Sequence, residues 1–258
     1  ESHAPISYEG IIHSLLFRLL VRCPNFKSLV VISSNLKNYY FDRYPKLEGK
    51  ITTLADAADP ISESIKPVSL REDNSRFQIG YTGHLYQGKG AELVLTLAKS
   101  MPEYDFHIVG GTSADLEAWK RLALPNNLSM HGYKPHACIS SYLRAFDILL
   151  LPNSHIVRGY KSRDNIGEWT SPLKLFEYMS AGKPILISDA PVLSDIANNG
   201  INMIVCRYNV TKDWISAIHR LHKDQNLRAC ISRQSLSEFK SFYTWDRRAA
   251  LCLDICLG

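Results

Sequence analysis

The chain has 258 residues, 45% of them hydrophobic and 21% charged, with a formal net charge of +5. That balance belongs to an ordinary globular protein with room for one large or two small domains. No apolar run approaches the roughly 20 residues that cross a bilayer, and the scattered Lys and Arg exclude a dedicated nucleic-acid surface while leaving a peripheral contact with an anionic membrane open. Six cysteines, at positions 23, 138, 206, 230, 252 and 256, form no Cys-x-x-Cys pair. That spacing argues against zinc and against a disulfide framework, and points to reduced thiols in a cytoplasmic protein.

In chain order, the first segment reads as a helix over 10–21, a strand over 28–33, a helix over 35–44 and a strand over 50–54. Its most apolar run, beginning Ile11-Ile12, is interrupted by His13 and Arg18 and reads as a buried or amphipathic helix, not a leader. Two strands are too few for an independent sheet of typical size, so residues 1–60 read as part of a domain. Residues 61–75 are polar and aperiodic, as a linker is. From residue 76 strands alternate with helices: strand 77–81, helix 90–99, strand 105–109, helix 115–122, strand 127–130, helix 136–144, strand 148–151, helix 171–181, strand 185–188 and strand 203–206. Two or three further helices follow, the last over 242–258. Strict alternation predicts an α/β domain over 76–241, a doubly wound parallel sheet with helices on both faces. Ligands of such sheets lie beyond the carboxyl ends of the strands.

The most informative stretch is Ser171-Pro172-Leu173-Lys174-Leu175-Phe176-Glu177-Tyr178-Met179, running through Ala181-Gly182-Lys183-Pro184 into the strand at 185. Ser171 suits an N-cap and Pro172 the first helical position. The N–H groups of Leu173, Lys174 and Leu175 then leave the helix end with the positive end of the dipole behind them, which is an anion site. Glu177 follows about a turn and a half later, within reach of vicinal hydroxyls on the same ligand. The plainer alternative is an amphipathic helix with Leu173, Phe176 and Met179 in the core.

A second candidate is Gly83-His84-Leu85-Tyr86-Gln87-Gly88-Lys89-Gly90, after the first strand of the complete sheet. Glycines allow close backbone approach, and Lys89 adds its charge where a helix begins. Taken alone, Lys89 reads equally well as a solvated surface lysine and His84 as a packing or capping histidine. Two helix starts and one lysine in a single sheet can instead converge on one diphosphate.

With these residues laid out, nearly the whole chain resembles glycosyltransferase family 4, retaining nucleotide-sugar enzymes of the two-domain GT-B fold. Gly83-His84-Leu85 with Lys89-Gly90 is similar to the family's Gly-Arg-Leu and Lys-Gly pattern. Ile108-Val109-Gly110-Gly111 is similar to its strand-end glycines and His131-Gly132-Tyr133 to its base-facing loop. The 171–184 stretch is the most specific match, and Tyr243-Thr244-Trp245 with Arg248-Ala249 resembles the closing helix. The resemblance implies a partial acceptor-side domain followed by a complete donor domain. It implies Lys89 on the diphosphate, Glu177 on the ribose, the Leu173, Lys174 and Leu175 amides on the distal phosphate, and Gly132, Tyr133 and Lys134 at the base. Gly83, His84, Gly110, Gly111, Ser171 and Pro172 would complete the donor site. The implied substrate is a UDP- or GDP-sugar, with no separate cofactor and no obligatory metal. The implied acceptor is a glycan, a lipid-linked sugar or another alcohol, used by a cytoplasmic enzyme that can touch the inner membrane surface.

Two departures stand out. His84 occupies the place of a frequent arginine, and an imidazole is charged only in part near neutral pH. The family often carries a further Glu eight positions before the second; here that place is Trp169, with Glu168 beside it, so Glu168 enters either as a shifted catalytic contact or as a solvated acid. The resemblance also sets Glu1-Ser2-His3 midway through an acceptor domain, with His3 falling after the expected site histidine. The alternative function is therefore a non-catalytic nucleotide-sugar-binding half, or an inactive fragment of such an enzyme. In either case residues 247–257, with Leu251, Leu253 and Ile255, would expose apolar surface.

Overall fold

The computed structural model describes residues 1–71, 76–157, 165–169, 171 and 173–257. Two parallel sheets are present. In the small one, β1 (Leu29–Val31) pairs with β2 (Ile51–Thr53), and the two are accompanied by α1 (Ile11–Leu20) and α2 (Ser34–Arg43). The large one holds six strands: β3 (Gln78–Thr82), β4 (Asp105–Val109), β5 (Leu128–Gly132), β6 (Ile148–Leu151), β7 (Ile185–Ser188) and β8 (Ile204–Cys206). Their order across the sheet is β5-β4-β3-β6-β7-β8, every neighbouring pair parallel. The chain thus builds outward from β3 in one direction, returns, and builds outward from β6 in the other. That reversal opens a crevice between β3 and β6 at their carboxyl ends.

The central strands are buried along their length because they are apolar on both faces: Ile148-Leu149-Leu150-Leu151 and Ile185-Leu186-Ile187 leave nothing for water. Parallel strands sandwiched between helices require this. The helices are α3 (Ala91–Ser100), α4 (Ser113–Lys120), α5 (His136–Ala145), α6 (Leu173–Ser180), α7 (Thr211–Lys223), α8 (Gln225–Phe242) and α9 (Trp245–Leu257). Two cores result, one on each face. Val94, Leu97, Trp214 and Ile218 pack on one, and Leu175, Phe176, Tyr178, Met179 and Phe239 on the other.

Most expected elements are present within a few residues of the expected bounds, and the differences have local causes. The helix expected over 115–122 starts at Ser113, because Thr112 and Asp115 form a reciprocal capping box and so place Asp115 in the first turn. The helix expected from 171 starts at Leu173. The Ser171 hydroxyl accepts the Asp56 N–H at 3.1 Å, and Pro172 lies outside the described residues. The polar stretch after β2 is tied down by its backbone. Ala58 N–H donates to Tyr243 O and Val68 N–H to Ser141 O, and Leu70 is buried.

Apolar exposure falls mainly on α1, not on the last helix. Ile11, Ile12, Leu15, Leu16, Leu19 and Leu20 are all exposed, while only Phe17 and the following Val21 reach the small aromatic core with Tyr40 and Tyr44. In α9, Leu253 and Leu257 are exposed, but Arg248 turns inward, donating to Ala55 O at 2.9 Å and pairing with the Glu1 carboxylate. No described helix is long and apolar enough to cross a membrane. The six cysteines are free, and burial pushes the Cys206 thiol up to about 12.

A pair of imidazoles, His107 buried and His131 half-buried, links β3, β4 and β5. The Gln78 amide donates to Arg76 O, which turns its oxygen toward His107 Nε2 at 2.6 Å. His107 therefore carries its proton on Nε2 and accepts at Nδ1 from His131 Nε2, 3.0 Å away. Burial first, then the neighbouring positive charges, pushes His107 down to about 3 and His131 to about 4. Both are neutral in the fold, whereas in the unfolded chain they take up protons near pH 6.5. Stability therefore declines as pH falls below about 6.5, by about 1.4 kcal/mol per pH unit for each such histidine. Thermal melts between pH 7.5 and pH 5 should show the decline, and His107→Asn, less stable at neutral pH, should show a shallower one. A melting temperature flat across that range would contradict the neutral pair.

Candidate functional site

A cavity of about 390 Å³ opens at the β3/β6 crevice. Tyr81, Thr82, Gly83, His84 and Lys89 line it from the end of β3 and the following turn, and Leu151, Asn153, Ser154 and Val157 from the end of β6. Gly167, Ser171, Leu173, Lys174 and Glu177 close it from the start of α6, with Ala190, Val192 and Leu193 beneath. Both segments singled out in the sequence thus meet here. Parallel strands force this, since they deliver every strand end and every following helix start to one rim.

The wall at β3 is fixed by two tyrosines. Tyr178, fully buried on α6, accepts the Thr82 N–H at 2.8 Å and sits 3.3 Å from Thr82 O. Tyr81 donates to His84 O at 2.7 Å, bending the chain after Gly83. His84 then stacks on Tyr86, and the Lys89 ammonium lies 5.5 Å from the same tyrosine ring. No carboxylate among the described residues pairs with Lys89, and burial alone draws its pKa below the usual lysine value.

Glu177 stands at the opposite wall, mostly buried. Lys174, one turn earlier, reaches its Oε2 at 2.8 Å, and His136 Nε2, at the start of α5, lies 3.5 Å from Oε1. A carboxylate has about four acceptor sites, so both partners leave room for ligand hydroxyls. Glu177 also borders a second, smaller cavity of about 180 Å³, lined by Pro60, Ile61, Ile65, His136, Ile139 and Leu173 among others. One ligand could therefore bend around this carboxylate and occupy both spaces. The cavity lining carries two lysines against the single carboxylate of Glu177, together with the free N–H groups of the α6 start. That combination can hold a polyanion and orient hydroxyls beside it.

Other expected residues take different places. Leu175 is fully buried in the core, so its amide alone can face a ligand, whereas Leu173, half exposed, lines the cavity. Gly110 adopts φ +133 because a side chain there would collide with Gly83 O; Gly83 N–H in turn donates to Val109 O. Gly110 and Gly111 therefore join β3 to β4 and do not line the cavity. Gly132 uses its carbonyl on Gly110 N–H. Tyr133 is exposed and Lys134 lies 5.9 Å from the Tyr142 ring, so neither borders the cavity. Glu168 is exposed and outside it as well, with its carbonyl accepting from Asn35 Nδ2 at 3.0 Å. His3 pairs with Glu1 at 2.9 Å, in a cluster with Asp56 that Arg248 also joins. The sequence reading passed over Thr82, Asn153 and Ser154, and their position just beyond apolar strands was the available signal. It also passed over residues 60–65, whose polar character concealed a cavity wall.

Residues 62–237 match the Glycosyl transferases group 1 family. No curated protein matches the chain. Among solved structures, Anabaena Alr3699/HepE in complex with UDP and glucose superposes with a TM-score of 0.72 at 15% identity, over 100% of this chain and 70% of that one. Sucrose-phosphate synthase from Thermosynechococcus elongatus gives 0.71 at 14% identity, over 98% and 63%. A glycosyltransferase from Rickettsia africae gives 0.69 at 16% identity, over 93% and 66%. The chain spans 64% of the Anabaena protein in its UDP complex. At these identities the likeness is one of fold, a partial GT-B architecture with one complete Rossmann-like domain. The family match covers well over half of the chain, which belongs to the Glycosyl transferases group 1 family.

Proposed function

We propose that the cavity binds a nucleoside diphosphate sugar, and that the chain supplies the donor site of a family 4 transferase acting on a glycan, lipid-linked or other alcohol acceptor with retention. The observation that carries this reading is the convergence of Lys89, the α6 N-terminus and Glu177 on one crevice. The Anabaena protein is described in complexes with UDP and UDP-glucose, and a pneumococcal O-GlcNAc transferase of similar fold in complex with UDP and GlcNAc. These favour UDP over GDP.

In the reaction, the bond between the sugar and the diphosphate breaks and a bond to the acceptor oxygen forms, with the acceptor proton lost. Lys89 and the amides of Leu173 to Leu175 stabilise the charge growing on the diphosphate, and their preorganisation makes them effective. Glu177 accepts from the ribose hydroxyls, its orientation held by Lys174. The base extends toward the second cavity. One observation favours the alternative, binding without transfer: Glu177 is the only carboxylate among the described lining residues, and Glu168 and Trp169 are not among them. Incubation with labelled UDP-glucose and mixed alcohol acceptors separates the two, since transfer requires a labelled product and binding alone leaves the donor intact.

Calorimetric titration should show UDP binding more tightly than GDP, and Glu177→Ala should weaken UDP by roughly 10- to 100-fold, the loss expected for hydrogen bonds to a charged group. Absence of binding by either nucleotide, or an unchanged Glu177→Ala, would refute the site. Because burial depresses Lys89, its charge is lost at a less alkaline pH than that of a solvated lysine. UDP affinity should accordingly fall with rising pH on the alkaline side, and Lys89→Ala should bind weakly with that dependence abolished. An alkaline profile identical in the variant would remove Lys89 from the phosphate.

A further inference from the structure

Trp169 lies between the two halves of the molecule and not in the cavity. Its indole ring packs edge-on against Tyr39 of α2, 5.5 Å between centroids, as part of the small aromatic core. Its Nε1 donates to the Tyr8 hydroxyl at 2.9 Å, and its carbonyl accepts from the Ser33 hydroxyl, also at 2.9 Å. One residue earlier, Glu168 O takes the Asn35 amide. The same short stretch supplies Gly167 and Ser171 to the donor cavity. On the cavity side, Asn165 Oδ1 accepts the N–H groups of Val157 and Gly167, and its amide donates to His155 O.

We propose that Trp169 is a positioning residue that clamps this cavity wall to the N-terminal half, so that nucleotide affinity depends on contacts outside the cavity. The affinity part rests on the reading of the cavity as a nucleotide site; the clamp itself does not. The physical argument is one of population. A wall segment held on one side by three hydrogen bonds and a partly buried ring is already in its binding geometry. Released, it spends part of its time elsewhere, and a ligand that needs it loses affinity by that fraction. The stretch is therefore held from both sides, by Asn165 toward the end of β6 and by Trp169 and Glu168 toward the N-terminal half. The position suits an aromatic because its surroundings are aromatic: Tyr39 meets Trp169 edge-on, and Tyr40 and Phe17 follow behind.

The clamp is tested without ligand by amide hydrogen exchange. Trp169→Ala should speed exchange both at 165–169 and at 33–36 while leaving β6 and β7 unchanged, and unaltered exchange at either segment would overturn the proposal. The coupling is tested by UDP titration of Trp169→Phe, Tyr8→Phe and the double variant. Each single change removes the same hydrogen bond and should weaken UDP by roughly two- to tenfold, with the double variant no weaker than the poorer single. Additive losses, or no loss, would show that the bond does not govern the wall. Trp169→Glu gives the sharpest contrast: the clamp predicts poorer UDP binding and faster exchange at 33–36. Tighter binding of UDP-glucose by that variant would mean that the side chain belongs in the cavity, and the proposal would fail. If the wild-type chain binds no nucleotide while the exchange results hold, the nucleotide reading falls and the clamp stands.

Discussion

The hydroxyl of Tyr178 is where the site is anchored. It is buried without access to water, and it meets the N–H of Thr82 at the last residue of β3. Through it the first turns of α6 are held against the end of the strand from which the glycine turn departs. A buried hydroxyl left without a partner costs about 1–3 kcal/mol, and burial raises the Tyr178 pKa so that the phenol stays protonated. The bond therefore persists across the range in which the protein is folded. Two of the charged groups on the rim lie close to it in the chain: Glu177 precedes Tyr178 by one residue, and Lys89 follows Thr82 by seven.

Much of the large sheet was legible in the sequence because its central strands are buried on both sides. Continuous apolar runs such as Ile148 to Leu151 have no other stable use in a short segment, and their alternation with amphipathic helices fixes a parallel arrangement. The candidate site was legible for the same reason, since a capped helix after a buried strand can open only at the rim. Glycines misled where their backbone freedom served packing. Gly110 and Gly90 combine a positive φ with a close carbonyl, Gly83 O in one case and Pro152 O in the other, that leaves no room for a side chain, and nothing local distinguishes that need from a ligand's. Residues 60–65 misled in the opposite direction. They are polar and without period, yet they form a cavity wall, because backbone hydrogen bonds on either side of them, from Ala58 to Tyr243 and from Val68 to Ser141 of α5, hold the segment in place and such bonds leave no composition signal.

The small sheet obeys a different constraint. Two three-residue strands bury too little to stand alone, and the aromatic cluster of Phe17, Tyr39, Tyr40 and Tyr44 compensates only in part. The segment is ordered from three directions at once: Arg248 reaches it from α9, Asp195 accepts the Ser34 N–H, and Trp169 enters its core. Each of these contacts comes from a different part of the chain beyond residue 160. The contacts named are side-chain hydrogen bonds and one aromatic ring, and inter-domain contacts of that kind permit relative motion.

That permission gives the exposed face of α1 its meaning. Six aliphatic residues on one helix face water while Phe17 alone reaches inward from that helix, so α1 adds little to the stability of the segment it belongs to. If α1 were the main support of the small sheet, its apolar face would be turned toward β1 and β2. It is turned away, and the sheet instead leans on the larger domain through Ser33, Asn35 and Arg248. The wall of the cavity and the small sheet consequently share their hydrogen bonds. Loosening one loosens the other, and a ligand that orders the wall also orders the sheet by the reciprocity of linked equilibria.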